Sequence, residues 1–183
     1  MSAKKQITKE MILDAALKLL KEQGYEAVNI KQLSGKLGCS TQPVYLSFSG
    51  MEDLRNELLH LAVEEFKTYM KNNSKDDVVN LYDIYYIHFA MAEPKLFCFL
   101  FMRENAFSEI KQALIPMIEQ SVKKLMATYH ISHEEADILH DQLWMHAHGI
   151  ASMIATDFCD WNMEKVSRML TDCKNAFTGK YEA

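Results

Sequence analysis

"LSGKLGCSTQPVYLSF", residues 33–48, carries two glycines, one proline and a single charge, Lys36, inside a chain whose apolar residues otherwise recur at helical spacing. A helix that reaches Gly38 cannot simply run on through Pro43, because proline lacks the amide proton and its ring clashes with the preceding turn. Within the first turn of a new helix the missing proton is harmless, since first-turn donors have no intrahelical partner. Ser40 or Thr41 is placed to cap that helix, and the restriction that proline imposes on Gln42 sets its start near Thr41 or Gln42. The stretch reads as a short helix, a tight glycine turn and a second helix: a helix-turn-helix pattern.

The flanks support this reading. Upstream, Ile12, Ala15, Ala16, Leu19 and Leu20 form one helical face that Gly24 ends. Asn29, with Gln32 three residues on, is a capping-box-like start for a helix with Leu33 and Leu37 on one face and Gly38 at its close. Downstream, Ser49 and Glu52 make an S-x-x-E capping box for a helix through Leu54, Leu58, Leu61, Phe66 and Tyr69 to about Lys71. KNNSKDD, 71–77, is a polar connection. Further helices are expected at 77–92; at 94–104, opened by Pro94; at 108–130, kinked or broken at Pro116; at 132–157; and at 162–178. No run alternates with period two for long enough to make a strand, and no repeat or low-complexity tract is present. The fold class is all-α with about nine helices. A three-helix helix-turn-helix domain at 1–50 is joined by a fourth helix to a helical domain at 51–183.

The 183 residues, 49% hydrophobic and 25% charged, can bury a real core. No apolar run approaches the ~18 to 20 residues that span a bilayer, and the N-terminal lysines precede no apolar stretch, so a cytoplasmic protein is expected. Cys39, Cys98, Cys159 and Cys173 form no CxxC pair and read as small core residues. The net charge of -5 hides a division: residues 1–50 hold seven lysines against four acids, net +3, and the remainder is net -8. The basic part is suited to a polyanion, and the acidic part is held away from it by the same field.

Residues 7–60 resemble the DNA-binding domain of the TetR family of transcriptional regulators. The resemblance rests on Ala15-Ala16, Glu22-Gln23-Gly24-Tyr25, Leu33 to Gly38, Tyr45-Leu46-Ser47-Phe48 and Glu52-Asp53-Leu54, in the family's order and spacing. QLWMHAHGIASMIAT, 142–156, is similar to the Trp/His-Gly helix that many members carry near the dimer interface. The resemblance implies a second domain of helices that binds ligand and dimerises. Two positions depart from it: Met51 stands where the family usually has a lysine that meets a phosphate, and Cys39 where a β-branched residue is usual.

In such a domain the recognition helix puts short polar side chains at its N-terminal end and packs its apolar back on the preceding helices. Ser40, Thr41 and Gln42 suit the first duty, Val44 and Phe48 the second. Gln42 can pair with adenine N6 and N7 and the Thr41 methyl can meet a thymine methyl, each worth roughly 1 to 3 kcal/mol of discrimination. The first 50 residues contain no arginine, the usual bidentate reader of guanine, so an A·T-rich half-site is expected. By resemblance, Tyr45 and Ser47 hold phosphates, and the helix start at Asn29 to Lys31 offers backbone N–H groups and a lysine. Lys36 and a Lys4-Lys5 arm add to these. The plainer readings are a half-buried Tyr45 with its hydroxyl in water, and a solvated helix face for Lys31 and Lys36.

The C-terminal part is rich in rings at helical spacing. Tyr85, Phe89, Phe97, Phe101 and Met117, with Trp144 and His148 at i and i+4, are candidates to line a ligand pocket, although a ring at helical spacing is more often simply core. Twelve methionines suit an adaptable pocket, and the acidic surplus points to a cationic or lipophilic inducer. His146 and His148 project about 200° apart on one helix, and His140 lies about 12 Å along the axis from His148, so no metal site is expected there. Ala147, Gly149, Ala151 and Ser152 permit close helix approach, which suits a homodimer through helices 132–157 and 162–178. With no GxxxxGK[ST], HExxH or GxSxG, no enzyme is expected and no cofactor. The expected function is a homodimeric repressor of a pseudo-palindromic operator in double-stranded DNA, released by a small molecule. The alternative is a ligand- or protein-binding adaptor of the same fold with weak or no DNA binding.

Overall fold

A computed structural model of the chain describes residues 6–74 and 82–181. Helix α1, Lys9–Gln23, starts where the Thr8 hydroxyl accepts the Met11 N–H at 3.3 Å, and it buries Ile12, Ala15, Ala16, Leu19 and Leu20, the face expected from the periodicity. A 3-10 turn at Tyr25–Ala27 leads to α2, Ile30–Leu37, capped by Asn29 Oδ1, which accepts the Gln32 N–H at 3.0 Å. Gly38 follows in the left-handed region at φ 64°, where glycine has no Cβ to clash, and Cys39 N–H donates back to Ser34 O at 3.0 Å. Helix α3, Gln42–Ser47, carries Pro43 in its first turn, and α4 runs Met51–Asn73.

Two caps differ from the expectation. Thr41 precedes α3 but already has helical angles, φ -70° and ψ -17°, so its hydroxyl makes no cap bond; its carbonyl accepts from Val44 N–H at 3.1 Å and Tyr45 N–H at 3.3 Å. At the start of α4 the partner of Ser49 is Asp53, not Glu52: Asp53 Oδ2 accepts the Ser49 N–H at 2.9 Å and its hydroxyl at 3.2 Å. Because α4 begins at Met51, Asp53 rather than Glu52 occupies the third helical position that a capping carboxylate uses.

The chain divides into two compact units, up to Glu65 and from Phe66 onward. The first includes the opening of α4 as well as residues 1–50, since Leu54 and Leu58 are fully buried, and Lys9–Glu57 at 3.1 Å and Lys21–Glu65 at 3.4 Å tie that opening to α1. The second contains the end of α4 and helices α5, Ile84–Ala92; α6, Pro94–Phe101; α7, Ala106–Tyr129; α8, His133–Ala155; and α9, Met163–Thr178. Helix α8 packs against α5, α6, α7 and α9. Among the described residues no strand occurs, and no helix is long and apolar enough to cross a membrane.

Of the helix expected at 77–92, residues 77–81 lie outside the described residues, as do 75–77 of the polar connection. Helix α5 starts at Ile84, where Asp83 Oδ1 accepts the Ile84 N–H at 2.6 Å. Of the kink or break expected at Pro116, the break does not occur: α7 runs through it. Pro116 is exposed, and buried Ile110 and Leu114 before it and Val122 and Leu125 after it hold both halves to the core, offsetting the lost backbone bond. Helix α8 opens on a full capping box between Ser132 and Glu135. One core cluster joins Val122 and Leu125 of α7 to Ala136, Leu139 and Leu143 of α8.

Candidate functional site

Six residues make α3, and two apolar anchors fix how it sits. Val44 is 2% exposed and Phe48, just past its end, is buried with the Lys9 ammonium 5.3 Å above its ring. Positions three and four residues apart share a helical face, so the residues between these anchors point outward. Ser40, Thr41 and Gln42 are exposed, Tyr45 is 64% exposed and Leu46 79%, while Ser47 is half-buried. The outward surface of α3 carries no charge.

Cations around it are unequally available. Lys31 is exposed on α2 with no ion pair among the described residues, whereas Lys36 Nζ is held by Glu22 Oε2 at 2.7 Å. Lys4 and Lys5 lie outside the described residues. Asn29 spends its side chain on structure, accepting the Gln32 N–H and donating to Ala27 O at 3.3 Å; what it leaves toward solvent is the start of α2 rather than its own amide. Met51 is half-buried beside Ile30, Tyr45 and Phe48. Leu46 is the surface residue that the sequence reading passed over, although its place about 200° from Val44 on a helix already implied exposure.

Residues 12–58 match the profile described as "Bacterial regulatory proteins, tetR family". The matched segment contains α2, the glycine turn and α3, and reaches into α4. Residues 12–58 are thus a tetR-family domain. No curated protein matches it in sequence. Among solved structures it is similar to the crystal structure of a TetR variant from Acinetobacter baumannii AYE in complex with minocycline, at 13% identity and a TM-score of 0.52, covering 94% of this chain and 92% of that one. It is also similar to native NalD, the secondary repressor of the MexAB-OprM multidrug efflux pump in Pseudomonas aeruginosa, at 16% identity and a TM-score of 0.53, covering 90% and 92%. The shared fold extends over both units of this chain.

In the second unit the rings expected to line a pocket are packed against one another. Phe66 stacks edge-on to Phe89 at 5.0 Å and to Phe101 at 5.2 Å, Tyr86 to Phe97 at 5.5 Å, and Trp144 lies 5.3 Å from His148. Phe89, Phe97, Phe101, Trp144 and His148 are thus brought together, while Tyr85 faces His88 at 5.9 Å and Met117 is half-buried on α7. The polar centre of the cluster is the fully buried Tyr86, whose hydroxyl is 2.9 Å from His148 Nδ1 and is also hydrogen-bonded to Trp144. An indole N–H can only donate, so the Tyr86 hydroxyl accepts from Trp144 and gives its own proton to His148 Nδ1. That assigns His148 as the neutral tautomer with hydrogen on Nε2. Burial pushes the Tyr86 phenol far up and the His148 imidazole down.

A cleft of about 350 Å³ lies elsewhere in this unit. It is bordered by Tyr82 and Asp83 before α5, Lys124, Thr128 and Tyr129 of α7, Leu143 and His146 of α8, and Ser167, Thr171 and Lys174 of α9, and none of the seven candidate pocket residues lines it. Three of the histidines of α8, His140, His146 and His148, serve separate environments. His146 Nε2 meets Met169 O at 3.2 Å, His148 meets Tyr86, and His140 is buried beside the Tyr82 ring with neither nitrogen hydrogen-bonded, its Nδ1 lying 3.5 Å from Asp141 Oδ1. On the outer side of α8, Ile138, Met145 and Met153 are exposed around Gly149, where an added Cβ would meet nothing.

Proposed function

We propose that this chain is a homodimeric repressor that binds a pseudo-palindromic operator through α3 of each copy and leaves it when a small molecule binds the second unit. The observation that carries the reading is the neutral outward surface of α3, standing on the buried Val44 and Phe48 anchors inside a tetR-family domain. Side chains of this kind read base edges, and phosphate contacts around them set register without reading sequence. In this reading Ser40, Thr41 and Gln42 face bases, Tyr45 and Ser47 meet phosphates, and the start of α2 at Asn29 to Lys31 supplies backbone donors and a free ammonium. Lys36 adds less, since Glu22 neutralises it. A second copy, docked through α8 and α9, carries the second α3 to the next major groove, 34 to 36 Å away.

Minocycline in the related crystal structure supports a small-molecule effector for this chain. The cleft bounded by α7, α8 and α9 has room without parting the aromatic cluster. Its lining holds Lys124 and Lys174 against Asp83, whose carboxylate already caps α5. That balance favours a ligand with a neutral or anionic polar group over the cationic one that the acidic composition suggests.

Duplexes recovered from a random-sequence library, or taken from beside the chain's own gene, test the DNA reading by fluorescence anisotropy. Binding is expected to weaken steeply with salt and to be lost in Tyr45→Ala; duplex binding unchanged by that substitution would remove α3 from the interface. Met51 and the Lys36–Glu22 pair favour a second reading, an adaptor of the same fold. A folded dimer that retards no duplex at low salt would decide for it.

A further inference from the structure

We infer that Leu46 is a base reader that selects a thymine by apolar contact with its 5-methyl group, an inference that rests on the DNA-binding reading of α3. At 79% exposure on a helix anchored from inside by Val44, Leu46 presents most of its side chain to solvent. Gln42 lies one turn before it on the same helical face, and Tyr45 flanks both. The rise from Gln42 to Leu46 is about 6 Å, close to two base-pair steps of about 3.4 Å, so the two side chains can reach edges of nearby pairs together. In the major groove the thymine methyl is the apolar feature of the base edges, and an A·T pair is also the pair whose adenine accepts the bidentate amide of Gln42. The uncharged surface around Leu46 lets it approach without stripping water from an ion. A half-site is therefore expected to hold an adenine opposite Gln42 and, within two steps, a thymine opposite Leu46.

Deoxyuridine, which keeps the pairing and lacks only the methyl, isolates this contact. Once the operator has been obtained from a random duplex library with the full-length protein, each thymine is replaced in turn. Wild type is expected to show one thymine per half-site at which the replacement weakens binding about fourfold, the value of one buried methyl-sized group, and roughly 15-fold when both half-sites are changed. Leu46→Ala, a change at an exposed position that leaves the fold intact, is expected to bind thymine and deoxyuridine equally there. Gln42→Ala should keep the methyl dependence and relax preference at a different pair. Indifference of the wild type to deoxyuridine at every thymine, or a methyl dependence that survives Leu46→Ala, overturns the assignment while leaving the DNA reading in place. Failure of the folded chain to bind any duplex at low salt overturns both.

Discussion

Tyr86 shows how much a single hydroxyl can organise when it is buried among rings. It accepts from Trp144 and donates to His148, which is one turn further along α8, so three side chains from two helices depend on one oxygen. Tyr86→Phe keeps the ring packing and leaves an indole N–H and an imidazole nitrogen unpaired, at a cost of roughly 1 to 3 kcal/mol. Calorimetry should register this as a fall of several degrees in Tm, while Tyr85→Phe, half-buried outside the cluster, should change little. The same burial makes stability depend on pH. His148 and His140 are both held below the usual imidazole value, chiefly by burial, so the folded chain binds fewer protons than the unfolded chain just below about pH 6.5. Stability is complete above that value and should decline as pH falls from about 7 toward 5. Urea unfolding across that range should show the decline, and His140→Leu should flatten part of it. The rings themselves were legible from periodicity, but spacing cannot separate a ring that lines a void from one packed on another ring. The bond that decides the matter here joins residues 62 positions apart.

Helix ends were legible wherever the local chemistry allows one solution. Gly24, Gly38, Pro43 and Pro94 each stand at a helix end or in its first turn, because positive φ or a missing N–H leaves few other places for them. At two places the structure departs from what the local pattern alone suggests, for related reasons. The capping box before α4 depends on counting from the first helical residue, and Gly50 shifts that count by one, so the carboxylate in use belongs to Asp53. Asp53→Ala should therefore lower the Tm of the folded chain, whereas Glu52→Ala, the change that the sequence pattern alone would single out, should leave it near wild type. Pro116 breaks a helix in isolation, but apolar burial on both sides of it belongs to tertiary packing that local pattern does not contain.

The charge division at residue 50, net +3 and then net -8, does not coincide with the two compact units, since the opening of α4 adds one arginine and five acids to the first. What a single copy leaves unexplained is the outer face of α8. Gly149 sits in mid-helix, where glycine costs about 1 kcal/mol relative to alanine, yet an added Cβ there would meet nothing within the chain. Packing inside one copy gives no reason for a glycine at that point. A helix of a second copy crossing closely there does give one, because Ile138, Met145 and Met153 provide the apolar surface around it. Gly149→Leu is accordingly expected to fold with unchanged helical content but to sediment as a monomer at concentrations where the wild type is a dimer. Operator affinity should fall with it by about two orders of magnitude or more, since a monomer loses the effective concentration that couples two half-sites. A Gly149→Leu protein that remains dimeric and grips the operator as before would move the interface off this face of α8, and the glycine would then need another cause.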